Sequence, residues 1–317
     1  MDMNAAVVHR YGPPEVVRIE RRPRPRATGG DVVVEVAAAS VNSGDARIRA
    51  ARFPAGFAVP GRLALGLRGP RRPVLGIALS GRVVETGPRA TDVRPGDRVC
   101  GMTDMRMGAH AQYVALPHNR LVAIPDHVGD DEAAAVLFGG TTALWFLRDR
   151  ARLQAGERVL VIGAAGAVGS HAVQIARTLG AEVTTTSSAA NTALLTRLGA
   201  HRTLDRATTS LTDLGERYDV VFDTVGVLHP RDADALLTPG GRLLLAAATL
   251  GETITARGRV LTGTAGSGRD LVSALVERVA DGTLTPVIEA SLPLDRIVEA
   301  HARVDSGHKV GTILVRP

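Results

Sequence analysis

The segment Arg158-Val159-Leu160-Val161-Ile162-Gly163-Ala164-Ala165-Gly166-Ala167-Val168-Gly169 constrains this chain more than any other. An apolar run leads straight into Gly163-x-x-Gly166-x-x-Gly169, and Ser170 to Leu179 continues with helical periodicity. A parallel strand needs a tight turn to enter its helix, and small residues let backbone N–H groups approach a pyrophosphate. The first helical turn then offers unpaired donors and the positive end of a dipole. Three glycines alone would say little, but between a strand and a helix they predict a dinucleotide-binding unit. Gly163, Ala165, Gly166, Ala167, Val168 and Gly169 are therefore candidate cofactor contacts.

The surrounding pattern fits such a unit. A helix is expected from residue 131, where Asp130 and Asp131 precede an alanine-rich run. Strand–turn–helix follows over 157–180, then a strand (181–186), a helix (190–198) and strands at 219–222 and 241–247. Strands alternating with helices imply a parallel, doubly wound sheet. The N-terminal third reads instead as short strands, at 31–36, 81–87 and 112–116. Turns such as Pro95-Gly96-Asp97 separate them, which suggests a partly open β-barrel. Residues 53–73, rich in Gly, Pro and Arg, are expected to form a long surface loop. A helix at 269–281 and short β-like pieces complete the chain.

The end of the second strand bears on which dinucleotide binds. A carboxylate about 20 residues past the glycines would hold the ribose hydroxyls of NAD. Here the strand ends in Thr184-Thr185-Thr186-Ser187-Ser188-Ala189-Ala190-Asn191, and the next carboxylate is Asp205. Hydroxyls, amides and arginine accept a 2′-phosphate that a carboxylate would repel. Ser187, Ser188, Asn191 and Arg206, with Arg202 as a further cation, point to NADPH rather than NADH.

Composition removes several other classes. The 317 residues suit two domains better than one. No apolar run approaches the roughly 20 residues of a membrane span, and no signal-like segment opens the chain, so a cytoplasmic protein is expected. Cys100 is the only cysteine, which excludes an intrachain disulfide and a multi-thiolate zinc site. It reads as a small buried hydrophobe. The net charge of +6 is carried almost wholly by arginine. Aromatic residues make up only 3%, too few for nucleic-acid stacking platforms, so a nucleic-acid partner is not expected. Lys309, the one lysine, lies in a polar C-terminal turn and is expected at the surface.

Several segments, in order along nearly the whole chain, resemble the medium-chain dehydrogenase/reductase superfamily in its zinc-free, quinone-oxidoreductase-like branch. They are Val41-Asn42-Ser43-Gly44-Asp45, Val83-Val84-Glu85-Thr86-Gly87, Arg94-Pro95-Gly96-Asp97-Arg98-Val99, Gly139-Gly140-Thr141-Thr142, Asp219 to Gly226, Thr238-Pro239-Gly240-Gly241 and Gly307 to Val315. The resemblance implies an α/β protein with a GroES-like β-barrel catalytic domain (1–120 and 266–317) and a Rossmann domain (121–265). It also implies a substrate cleft between them and a homodimer. Zinc-dependent members would carry a cysteine near Asn42 and a His-Glu pair near Ile77-Ala78, and neither is present.

For chemistry, the resemblance implies hydride transfer from NADPH to an activated C=C or a quinone on a small hydrophobic substrate. Asn42 is a candidate hydrogen-bond donor to the developing oxyanion, with Asp45 orienting a neighbour and His110 as a proton donor. Thr142 and Val225 would lie beside the cofactor. Two alternatives stay open. Ala78, Ala46, Val227 and Arg206 stand where relatives often carry other side chains. That could suit a specialised carbonyl/alcohol interconversion or a non-redox rearrangement or cyclisation. A non-enzymatic NADPH-binding protein is the third reading.

Overall fold

The computed structural model describes residues 1–211 and 213–317. The chain opens with the hairpin β1 (Asp2–Val8) and β2 (Val17–Pro23). Next come β3 (Asp31–Val41), α1 (Ser43–Ala50), α2 (Ala58–Leu65), β4 (Ala78–Thr86), β5 (Arg98–Met102), β6 (Tyr113–Pro117), β7 (Leu121–Ala123) and α3 (Asp130–Leu144). The cofactor-motif half holds β8 (Arg158–Ile162), α4 (Ala167–Thr178), β9 (Glu182–Ser187), α5 (Thr192–Leu198), β10 (Arg202–Asp205) and β11 (Tyr218–Asp223). It continues with α6 (Ala233–Leu236), β12 (Leu237–Leu245), α7 (Leu250–Thr255) and β13 (Val260–Thr262). The chain ends with α8 (Arg269–Ala280), β14 (Ile288–Pro293), α9 (Ile297–Asp305) and β15 (Thr312–Arg316).

Among the described residues, the strands form two large sheets and the N-terminal hairpin. One is parallel, in the order β10-β9-β8-β11-β12-β13. Val159–Ile162 of β8, Val220–Phe222 of β11 and Leu243–Leu245 of β12 are continuous buried apolar runs, as expected where a parallel sheet is covered on both faces, whereas interior β9 carries a run of buried threonines. The strand order reverses direction at β8, and the crevice at such a switch point, beyond the carboxyl ends of the strands, is where ligands bind in open α/β sheets. The other sheet runs β14-β15-β3-β4-β5-β7, with β6 also pairing β3. Its last strand, β15, comes from the far end of the chain and lies antiparallel to β3 with Ile313 opposite Val41.

Helix α3 is the bracket between the two sheets. Its Ala133 to Leu137 are buried. A Cβ on Gly139 would sit 2.3 Å from the Ala167 carbonyl oxygen, so the absence of a side chain there lets α3 lie directly on α4. At its other face, Ser80 Oγ of β4 donates to the Asp130 carbonyl at 2.7 Å.

The secondary structure departs from the sequence reading at α2 and α9. Residues 53–73 are not all loop, since α2 forms within them despite Pro60 and Gly61. No residue of α2 is buried; Tyr11 fastens it by donating to the Gly66 carbonyl and stacking under Arg62. The chain beyond 281 is not only β-like, because α9 buries Ile297, Ala300, His301 and Val304 along one face. Cys100 lies fully buried in β5, and burial pushes its thiol pKa up to about 12.

Candidate active site

At the carboxyl ends of β8, β9 and β11 lies a cavity of about 980 Å³. Its floor is the glycine turn. Gly163 has φ +75°, which favours glycine, and a Cβ there would also meet the half-exposed Val225 side chain at 2.5 Å, which would have to move. Gly169 faces inward, where a Cβ would be 2.3 Å from the Gly163 carbonyl oxygen, and so it sets how closely α4 approaches β8. Gly166 differs. The nearest atom to a Cβ there is 3.4 Å away, so the fold itself would tolerate a side chain, and glycine keeps that space clear on the cavity wall. Gly166 is also the N-cap of α4 and provides no side-chain cap, which leaves the first amides of α4 available to an anion. The turn thus fits a diphosphate.

One end of the cavity is polar. Ser187, Ser188, Asn191, Arg206 and Thr209 line it, and Asn191 Nδ2 donates to Ser187 Oγ at 3.0 Å. Val225 and Val227, both exposed, form an apolar shelf beside it. The shelf is shaped by Asp223, whose buried carboxylate accepts from the backbone N–H groups of Val225, Gly226, Val227 and Leu228 at 2.7–2.9 Å. Gly163, Ala165, Gly166, Ala167 and Val168 line the same space.

The remaining expected residues lie elsewhere. Asn42 caps α1: its Oδ1 accepts from Gly44 and Asp45 N–H, and Asp45 Oδ2 accepts in return from Asn42 N–H at 3.0 Å. Asp45 also accepts from Gly76 N–H, and burial raises its pKa even though His110 stands nearby to lower it. The ring of His110 is buried, its Nε2 3.0 Å from the Ser40 carbonyl oxygen and 3.9 Å from Asp45 Oδ2. Thr142 Oγ1 donates to the Phe138 carbonyl oxygen within α3. None of these four lines the cavity. One donor in the cluster is left over: Asn42 Nδ2 is buried with no hydrogen-bond partner.

The cavity also draws on residues that the sequence reading did not assign to it. Ser43, Arg47, Phe138 and Val304 line it, as do Gly307 to Val310. The last segment is tied to the glycine turn through Gly311 N–H, which donates to the Ala165 carbonyl oxygen at 2.7 Å. Lys309 is therefore not the surface residue that its polar neighbours suggest. It is half-buried in the cavity wall, its ammonium donates to the Gly311 carbonyl oxygen, and burial lowers its pKa to about 8 against the opposing pull of Glu289.

Comparison with known proteins bears on this arrangement. The family model described as alcohol dehydrogenase GroES-like domain matches residues 28–126, and that described as zinc-binding dehydrogenase matches 198–315. The chain belongs to the medium-chain dehydrogenase/reductase superfamily, in its quinone-oxidoreductase-like branch. Among these relatives, an Arabidopsis thaliana protein named NADPH-dependent alkenal/one oxidoreductase, chloroplastic, is 27% identical, over 100% of this chain and 80% of its own length. A Solanum lycopersicum protein named 2-methylene-furan-3-one reductase is 27% identical over 97% and 77%. The solved structure of the quinone oxidoreductase from Coxiella burnetii covers 100% of both chains with a TM-score of 0.90 at 26% identity. The GroES-like and Rossmann architecture expected from the sequence is thus the architecture of this chain.

Proposed function

We propose that the protein is an NADPH-dependent, zinc-independent reductase of activated C=C bonds or quinones. The observation that carries this reading is the cavity itself: a diphosphate-fitting glycine turn continues into a pocket of hydroxyls, an amide and Arg206, with no carboxylate from Ser187 to Asn191. That chemistry suits a 2′-phosphate. The names of two relatives, an NADPH-dependent alkenal/one oxidoreductase and a 2-methylene-furan-3-one reductase, point the same way. The reading without zinc is supported by the residues. Cys100 is buried in β5, and no group of three or more His, Cys, Asp or Glu gathers among the described residues.

When bound, NADPH supplies the hydride. The chain's own contribution is then position and polarity. The turn Gly163–Gly169 and the start of α4 would hold the diphosphate, Ser187, Ser188, Asn191 and Arg206 would hold the 2′-phosphate, and Val225 would give the cofactor an apolar contact. In the catalytic half, 1–120 with 266–317, Asn42 Nδ2 is assigned to a carbonyl oxygen that gains negative charge: it is an unpartnered donor one residue from Ser43 of the cavity wall, and because it is buried behind that wall the assignment requires the wall at Ser43 to open to the substrate. Asp45 and His110 act as positioning residues, because the capping box fixes Asn42 and the buried His110 braces Ser40 beside it. Thr142 sits on α3 between the halves. A cytoplasmic homodimer completes the reading, and the edge position of β13 in the parallel sheet supports association there. In the described chain no helix is long and apolar enough to cross a membrane.

The test is fluorescence titration with NADPH and NADH. The reading expects NADPH to bind at least about tenfold tighter, the size of one charge-assisted contact. Equal affinities would remove the 2′-phosphate site, and no binding of either would remove the cofactor.

A further inference from the structure

Three arginines stand close together in α1 and just beyond it, and two are matched. Arg49 is fully buried, with Nη2 on Asp305 at 2.5 Å and Nη1 on the Gly12 carbonyl oxygen at 3.2 Å. Arg52 takes the other oxygen of Asp305. Arg47 has neither an ion pair nor a side-chain hydrogen bond among the described residues. It nevertheless lines the large cavity with Ser43, one helical turn before it, and Phe138 of α3. Burial holds its pKa below the ordinary arginine value, which is the mark of a guanidinium taken partly out of water without compensation. Such a group is costly unless something charged arrives to pair with it.

The same cavity also takes in Lys309, the one lysine of the chain. Against Arg47, Arg206 and Lys309, the cavity lining offers a single carboxylate, Asp232, which already accepts from His229 N–H. The lining is therefore cationic on balance, with Glu289 acting on Lys309 from behind the wall. On the reading above, the α4 amides would hold the diphosphate and the Ser187–Arg206 pocket the 2′-phosphate, which leaves Arg47 and Lys309 without an assigned partner. Arg47 and Lys309 come from outside the parallel sheet, from α1 and from the segment before β15.

We propose that Arg47 and Lys309 form an anion-binding pair that selects substrates carrying a carboxylate or a phosphate beside the reducible group. The inference rests on the reductase reading for its substrate class, but the pair itself is read from the cavity. Phe138 and Val304 give the substrate its apolar contact, and the cations fix the acidic end. The preferred substrate is then an acidic enone, such as an unsaturated oxo acid, rather than a neutral one.

The experiment uses the full-length protein with NADP⁺ bound. Calorimetric titration with levulinate and methyl levulinate measures the preference for the acid without any turnover. Steady-state kinetics with acetylacrylate and its methyl ester measure it during reduction. The expected result is a preference for the acid of about tenfold or more in wild type. Arg47→Met and Lys309→Met should each remove most of that ratio, and Lys309→Arg should restore it. Circular dichroism checks that the variants fold, with Arg47→Gln as the milder second choice. Equal binding of acid and ester by wild type overturns the proposal. So does a loss of NADPH affinity in the variants with the acid-to-ester ratio intact, because the pair then serves the cofactor diphosphate. A levulinate preference that disappears in the variants, without reduction of either acrylate, upholds the anion site while refuting the reductase reading.

Discussion

Moderate acid should loosen this fold through one buried histidine. His171 lies in α4 with its ring fully buried. Its Nδ1–H donates to the Ala167 carbonyl oxygen at 2.5 Å, while Nε2 has no partner. Burial lowers its pKa from 6.5 to about 4. The unfolded chain therefore binds a proton on this ring at a pH where the folded chain refuses it. Stability is complete above the unfolded value and falls as pH drops through the window from 6.5 toward 4. Linkage with these two values gives a loss of about 1.3 kcal/mol between about pH 7.5 and about pH 5.5, where most carboxylates are still ionised. His301, also buried neutral with its pKa well below the ordinary value, adds a loss of the same sign. His171→Gln keeps an N–H for Ala167 and removes the titration. Urea unfolding followed by circular dichroism at the two pH values should show the variant losing about 1 kcal/mol less than wild type. The same loss in both proteins would refute the argument that burial of this ring governs its protonation.

Gly169→Ala should cost about 1–3 kcal/mol, because its Cβ meets backbone rather than a movable side chain; thermal unfolding measures this. Arg206→Ala should weaken NADPH binding about tenfold and leave NADH binding nearly unchanged, read by fluorescence titration. Cys100, buried with its pKa at about 12, should react with a thiol reagent only as fast as the protein unfolds, and a rapid reaction in native buffer would contradict its placement.

What the sequence made legible follows from how local each signal is. The glycine turn is a contiguous motif whose residues are fixed by one strand–helix junction, so its geometry could be argued from spacing alone. The parallel sheet followed from apolar runs alternating with helical ones. Helix α9 was missed, yet its buried Ile297, Ala300, His301 and Val304 carry helical spacing, with a histidine among them that blurs the apolar stripe. Helix α2 is hard to read from sequence because Pro60 and Gly61 interrupt it and its apolar Val59 and Leu63 face solvent, so no polar face contrasts with a buried one. Arg47 and Lys309 were illegible for a different reason. Their meaning depends on which wall they line, and that is decided by α1 following β3 and by Gly311 meeting Ala165 across the chain. No local pattern separates Lys309 in a polar turn from an ordinary surface lysine. The same holds for Asn42, whose cap was foreseeable from a turn-forming residue but whose unpartnered Nδ2 was not.

NADPH absorbance followed with the purified protein, a metal chelator present, and a panel of neutral and acidic enones and quinones tests the zinc-independent reductase reading. NADPH should be consumed in a way that depends on the enone, is unaffected by the chelator, and is sharply reduced by Asn42→Ala while NADPH still binds. Tight NADPH binding with no consumption on any member of the panel would contradict it, as would activity that the chelator abolishes and zinc restores.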